Sequence, residues 1–158
     1  MKIIAHRGNL DGPNPLKENS LEYIDEAIKA GFDVEIDIRE DDGLFLGHDN
    51  PQYHVTFDWL IRRKKYLWIH CKNVQALDFF SETSFNYFWH ENDQYTITSH
   101  GIGWVYPGKK PYHKSIIVLP EITDFYHSEE SNGYLTNSKG ICTDFCNDYK
   151  RLLFKPVK

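Results

Sequence analysis

Short apolar runs broken by polar or Gly/Pro punctuation recur along the whole chain. They are Ile3-Ile4-Ala5, Val34 to Ile38, Tyr66 to Ile69, Tyr87-Phe88-Trp89, Tyr95 to Thr98, Gly103 to Tyr106, Ile116 to Leu119 and Gly140 to Thr143. Runs this short, rich in β-branched and aromatic residues, predict eight strands. Between the first two, Leu21, Ile24, Ala27 and Ile28 fall at helical spacing behind an Asn19/Ser20 cap, and Gly31 supplies the stop. Helical spacing returns over Thr56 to Lys65, with Phe57, Leu60 and Ile61 inward, and over Val74 to Phe80, with Val74, Leu77 and Phe80 aligned. After Ser84 helical patterning largely vanishes. Asp41-Asp42-Gly43 marks a hairpin into a short strand at Leu44 to Leu46.

Strands alternating with helices predict a parallel sheet, and this number of strands predicts that it closes. The chain has 158 residues, whereas a full (β/α)8 barrel needs roughly 200 or more. The expected fold is therefore α/β, a compact or abbreviated TIM-type (β/α)8 barrel with few helices in the second half. No linker-like tract interrupts it, so residues 1–158 read as a single domain.

Charge narrows the partners. A net charge of -5 provides no field for a nucleic-acid backbone, and the one dense cationic run, Arg62-Arg63-Lys64-Lys65, sits at a helix end, so no nucleic-acid partner is expected. No stretch approaches the ~20 apolar residues of a transmembrane segment. Cys71, Cys142 and Cys146 form neither an even disulfide framework nor a zinc-type pair, which predicts reduced thiols and a cytoplasmic setting.

Ionisable residues gather within or just after these strands, where a barrel keeps its site: His6-Arg7, Glu35 and Asp37, His70 and Lys72, His90, His100, Glu121 and Asp144. Glu35 and Asp37 stand two apart, so the pleat turns both carboxylates to one face and Val34, Ile36 and Ile38 to the other. Side by side they call for a cation, and a hard divalent ion suits them. A solvated strand face with two acids is the simpler alternative. His70 and Lys72 repeat the spacing on the next strand. Arg7, followed by Gly8, can grip two phosphate oxygens where the backbone turns. His48 supplies a second histidine that could stand opposite His6. With an ordinary pKa of about 6.5, two histidines suit proton transfer in both directions.

His6-Arg7-Gly8, Glu18-Asn19-Ser20, Glu35-x-Asp37, Asp42-Gly43 and His48-Asp49, in this order and spacing, resemble the glycerophosphodiester phosphodiesterase family of the phosphatidylinositol-specific phospholipase C-like barrel superfamily. The resemblance covers about the first third of the chain. It implies His6 and His48 as the acid/base pair and Arg7 on the phosphate, with Lys72 also catalytic. Glu18 and Asn19 join Arg7 and Lys72 in substrate binding. Glu35 and Asp37 become metal ligands, for a divalent metal ion (Mg, Ca or Mn). The expected partner is a small-molecule or polymeric phosphodiester. Two departures stand out. Where the family has E-x-K, this chain has His70-Cys71-Lys72, so His70 replaces a carboxylate ligand and tilts preference toward softer ions such as Mn²⁺. The segment after His48-Asp49 is also short. A binding module for a phosphorylated sugar or glycerol polymer is the alternative function, and a metal-free lyase, with Arg7 or Lys72 in the ion's place, is a third.

Overall fold

The computed structural model describes residues 1–128 and 132–154. Its strands and helices follow in the order β1 (Lys2–His6), α1 (Leu21–Lys29), β2 (Asp33–Glu40), β3 (Leu44–Leu46), β4 (Tyr53–His54), α2 (Phe57–Arg63), β5 (Leu67–Cys71), α3 (Val74–Ser81), β6 (Tyr87–Trp89), β7 (Tyr95–Ile97), β8 (Gly103–Val105), β9 (Ser115–Val118), α4 (Asn132–Asn137), β10 (Gly140–Thr143) and α5 (Cys146–Leu153). All eight expected strands are present, and β4 pairs with β3 as an unforeseen addition. The helices α4 and α5 occupy a region in which the sequence pattern shows little helix.

One curled sheet joins the strands. Its main run, β6-β5-β2-β1-β10-β9-β8, is parallel throughout. The short pair β3 and β4 folds antiparallel onto the far end of β2. At the other edge β7 runs antiparallel to β8, which corrects the all-parallel expectation. Residues 98–102 connect these two strands, too few for the crossover that a parallel pair requires, so only a hairpin is possible. The edges β6 and β7 meet through isolated bonds in place of a ladder. Ser99 N–H donates to the Tyr87 carbonyl at 2.8 Å and Thr96 Oγ1 donates to the Trp89 carbonyl at 2.9 Å.

Alternation along the strands divides the core in two. Ile3, Ala5, Val34, Ile36, Ile38, Ile69, Ile117 and Ile141 face the helices, where they pack with Ile24, Ala27, Leu60, Ala76 and Phe80. The intervening residues Ile4, Trp68, Phe88, Trp104, Ile116 and Cys142 face inward and fill the curl of the sheet. Aromatic stacking consolidates that plug, with ring centroids 4.6 Å apart for Phe88 and Trp104.

Local helix signals hold where a cap anchors them. Ser20 Oγ accepts the Tyr23 N–H at the start of α1, and Gly31 follows its end at φ 93. In α2 only Leu60 is buried, while Phe57 and Ile61 stay 38% and 50% exposed, so the expected inward face is narrower than its apolar positions suggest. The cause lies in a polar clamp: Arg63 stacks on Trp59 and pairs with Asp25 of α1, which sets the roll of the helix. Cys71, Cys142 and Cys146 are buried free thiols, and burial pushes the Cys71 thiol up to about 12. Among the described residues no helix is long and apolar enough to cross a membrane.

Candidate active site

Each central strand presents an apolar residue to the interior and, two residues later, a polar one. Ile4 is followed by His6, Trp68 by His70, Phe88 by His90 and Cys142 by Asp144. These C-terminal strand ends surround a pocket of about 430 Å³. His6, Arg7, Glu35, His48, His70 and Lys72 line it, together with an apolar set that includes Trp104, Tyr106 and Leu119. Leu119 holds a left-handed backbone at φ 43, an uncommon conformation for this residue type at a pocket wall.

Glu35, Asp37 and His70 converge. One ligand atom from each lies within 4.8 Å of the other two. His70 Nδ1 stands 3.1 Å from Asp37 Oδ1 and 3.6 Å from Glu35 Oε1. Its other nitrogen, Nε2, donates to the His90 carbonyl at 3.0 Å, and the ring stacks on Phe88. Burial disfavours charge on this imidazole, but Asp37 and Glu35 outweigh burial and push its pKa up to about 9. Asp37 is fully buried, yet His70 and Arg7 hold its carboxyl below the usual range.

The cluster fits a divalent ion. Asp37 Oδ1 is buried and has no well-aligned hydrogen bond among the described residues. A histidine whose one nitrogen donates to a carbonyl presents the other as a fixed lone pair, the usual arrangement of a ligating imidazole. Two carboxylate oxygens and one nitrogen form a donor set suited to Mg²⁺ or Mn²⁺. The same carboxylates also have cations of the chain itself at hand: Arg7 Nε lies 2.9 Å from Asp37 Oδ2 and Lys72 Nζ lies 4.0 Å from Oδ1.

Behind the pocket, a buried scaffold holds these groups. Arg7 has φ 52 and Asn19 has φ 63, both left-handed. Asn19 N–H donates to the Arg7 carbonyl, and the Asn19 side chain clasps Asp37, donating to Oδ2 at 3.0 Å and accepting its backbone N–H at 2.9 Å. Glu18 accepts from Arg7 Nη1 and from Asn9 Nδ2. Glu18 and Asn19, expected on the substrate, thus sit one layer back from the lining, as does Asp37. Of the Arg7 guanidinium, Nε is ion-paired with Asp37 and Nη1 donates to Glu18, while Nη2 makes no hydrogen bond among the described residues.

His6 has a partner that its neighbourhood in sequence does not suggest. Its Nδ1–H donates to Asp144 Oδ1 at 2.8 Å, so Nε2 remains for the pocket. Burial works against the charged imidazole, but the Asp144 bond and the nearby Glu35 charge raise its pKa above the ordinary value. Asp144 also accepts from Asn9, and its own backbone N–H donates to Glu121 Oε1 at 2.8 Å. His48 enters from the β3–β4 side, bonded through Nδ1 to Asp49 Oδ1 at 2.7 Å. Gly47 makes that approach possible. It adopts φ 147, and a Cβ there would lie 2.1 Å from the Asn50 carbonyl oxygen.

No family model matches the chain, and no curated protein or solved structure matches it either.

Sequence reasoning placed Asp144 and Glu121 at strand ends without a role and did not single out Asn9. The available signal was the alternation itself, since Asp144 stands two residues after the inward-facing Cys142. Its pairing with His6 depends on β10 lying beside β1, and no residue spacing encodes that neighbour relation.

Proposed function

We propose that the chain is a metal-dependent phosphodiester hydrolase of the glycerophosphodiester phosphodiesterase type, on an abbreviated TIM-type barrel with its site at the C-terminal mouth. The observation that carries this reading is that His6 with Asp144, His48, Arg7, Lys72 and the Glu35/Asp37/His70 cluster all serve one pocket. Glu35, Asp37 and His70 hold the ion, which when bound supplies Lewis-acid polarisation of the phosphoryl group. Arg7 Nη2 and Lys72 Nζ bind the non-bridging oxygens and offset charge that builds as phosphorus becomes five-coordinate.

His6 moves a proton at Nε2, and Asp144 fixes its tautomer and stabilises the imidazolium form. His48 serves the opposite transfer. One histidine takes the proton of the attacking water as the new P–O bond forms. Its counterpart gives a proton to the leaving oxygen as the old P–O bond breaks.

The test is turnover of bis(p-nitrophenyl) phosphate by chelator-stripped protein resupplied with Mg²⁺, Ca²⁺ or Mn²⁺. Release of p-nitrophenol only with an ion present is expected, and none with any ion refutes the reading. One observation favours the second reading, a binding module for a phosphorylated sugar or glycerol polymer. Arg7, His70 and Lys72 already surround Asp37, so its charge has partners without an ion. Phosphoester binding that persists in chelator, with no turnover, distinguishes that case.

A further inference from the structure

A second cavity, of about 510 Å³, opens at the other end of the sheet, where the parallel strands begin. Its charge is lopsided. Lys2, Arg62, Lys64, Lys65 and Lys139 line it against a single acid, Asp33, in a chain that otherwise carries more acids than bases. These cations come from three stretches: Lys2 opens β1, Arg62 in the last turn of α2 is followed by Lys64 and Lys65 leading into β5, and Lys139 precedes β10.

Local pairing accounts for only part of this charge. Lys2 Nζ lies 2.5 Å from Asp33, and Arg62 pairs with Asp58 on the solvent side of α2. Lys64 reaches Ser84 and lies over the Phe85 ring, and Lys65 lies over Tyr66, but neither they nor Lys139 has an ion pair among the described residues. Complementing the negative end of the α2 dipole explains Arg62, Lys64 and Lys65. It does not explain Lys2 or Lys139, which belong to other elements. Arg63, in the same basic run, is turned away and committed to Asp25 and Trp59.

Asn86 gives an independent indication. It lines this cavity, is 8% exposed, and its amide makes no hydrogen bond among the described residues, with Oδ1 fully buried. A buried amide without a partner is costly unless a ligand or water satisfies it. Oδ1 is the enclosed end of the amide, so Nδ2 is the end left to the cavity, where it donates to an anion.

We infer that this cavity is a phosphate-binding site, distinct from the candidate active site, that takes a multiply charged phosphate group on Lys64, Lys65, Lys139 and the Asn86 amide. A singly charged carboxylate does not use so many cations. The apolar side chains of Ile61 and Ile102 at the same cavity leave room for the organic part of a phosphoester. The inference does not depend on the chemistry proposed for the opposite end.

The experiment uses metal-free full-length chain and two probes: inorganic pyrophosphate by calorimetry, and vesicles with or without phosphatidic acid by co-sedimentation. Saturable binding of either probe is expected. It should weaken at least about ten-fold in the exposed pair Lys65→Glu/Lys139→Glu, and again in Asn86→Asp. Circular dichroism confirms that each variant is folded. Binding that survives in Lys72→Met and weakens in the Lys65→Glu/Lys139→Glu pair assigns the anion to this cavity. Which probe binds tells whether the phosphate arrives free or on a lipid. Failure of both probes, equal affinity in both charge variants, or loss of binding in Lys72→Met overturns the assignment.

Discussion

His6 Nδ1 and Asp144 Oδ1 lie 2.8 Å apart although 138 residues separate them in the chain. The contact joins the first strand to the last, because β1 and β10 are parallel neighbours in register, with Ala5 opposite Thr143. It fixes which nitrogen of His6 faces the pocket, and it gives that imidazole a counter-ion.

Replacing this counter-ion tests its role in the proposed chemistry. Asp144→Asn keeps an oxygen for Nδ1–H but removes the charge. Turnover should fall about 10²-fold with little change in KM. The His6 pKa should drop, so the limb of the pH–rate profile that reports His6 moves to lower pH. A profile that does not move would show that Asp144 acts on the fold alone.

The same pair sets a stability window. Because the His6 pKa is raised above 6.5, its contribution is complete below that value and is lost as pH climbs through the raised one. The Asp144 pKa is lowered from 3.8, so its contribution is complete above 3.8 and is lost as pH falls through the lowered value. The pair therefore stabilises most between pH 3.8 and 6.5. Urea unfolding across pH should show this plateau in the wild type and a flatter curve in Asp144→Asn.

Metal affinity should depend on pH through His70. With its pKa pushed up to about 9, Nδ1 carries a proton at neutral pH that an incoming ion must displace. Affinity is expected to rise about ten-fold per pH unit up to that value, with close to one proton released per ion. His70→Glu should lessen the dependence and shift preference from Mn²⁺ toward Mg²⁺ or Ca²⁺. Calorimetry in buffers of different ionisation enthalpy measures both quantities, and an unchanged order of metals would place His70 outside the ligand set.

Asn19 offers a test of the layer behind the pocket. It is fully buried and meets both the backbone and the carboxylate of Asp37. Asn19→Ala leaves the Asp37 N–H buried without a partner, which should cost about 1–3 kcal/mol in urea unfolding. Weaker metal binding should accompany the loss. A variant as stable as the wild type would mean that the Asp37 N–H finds another acceptor.

Gly47→Ala should act on His48 without touching it. A Cβ at φ 147 collides with the Asn50 carbonyl, so the backbone beside His48 has to shift. Turnover should fall at least about ten-fold, and the same strain should lower the melting temperature. Asp49 is 83% exposed, so Asp49→Asn should change turnover far less than Asp144→Asn does.

What the sequence determines by itself is whatever depends on near neighbours. Short apolar runs located the eight strands, and the pleat, which acts over two residues, put Glu35 with Asp37, and His70 with Lys72, on common faces. Capping and glycine signals located α1 for the same local reason. Tertiary structure alone decided what depends on strand order and on the roll of one element against another. The α2 face turned because Arg63 found Asp25, and β7 reversed because its link to β8 is short. His6 met Asp144, and Lys139 joined Lys64 and Lys65, only because the strand order brings distant strand ends together. Those contacts are between residues far apart in the chain, so no local spacing carries them.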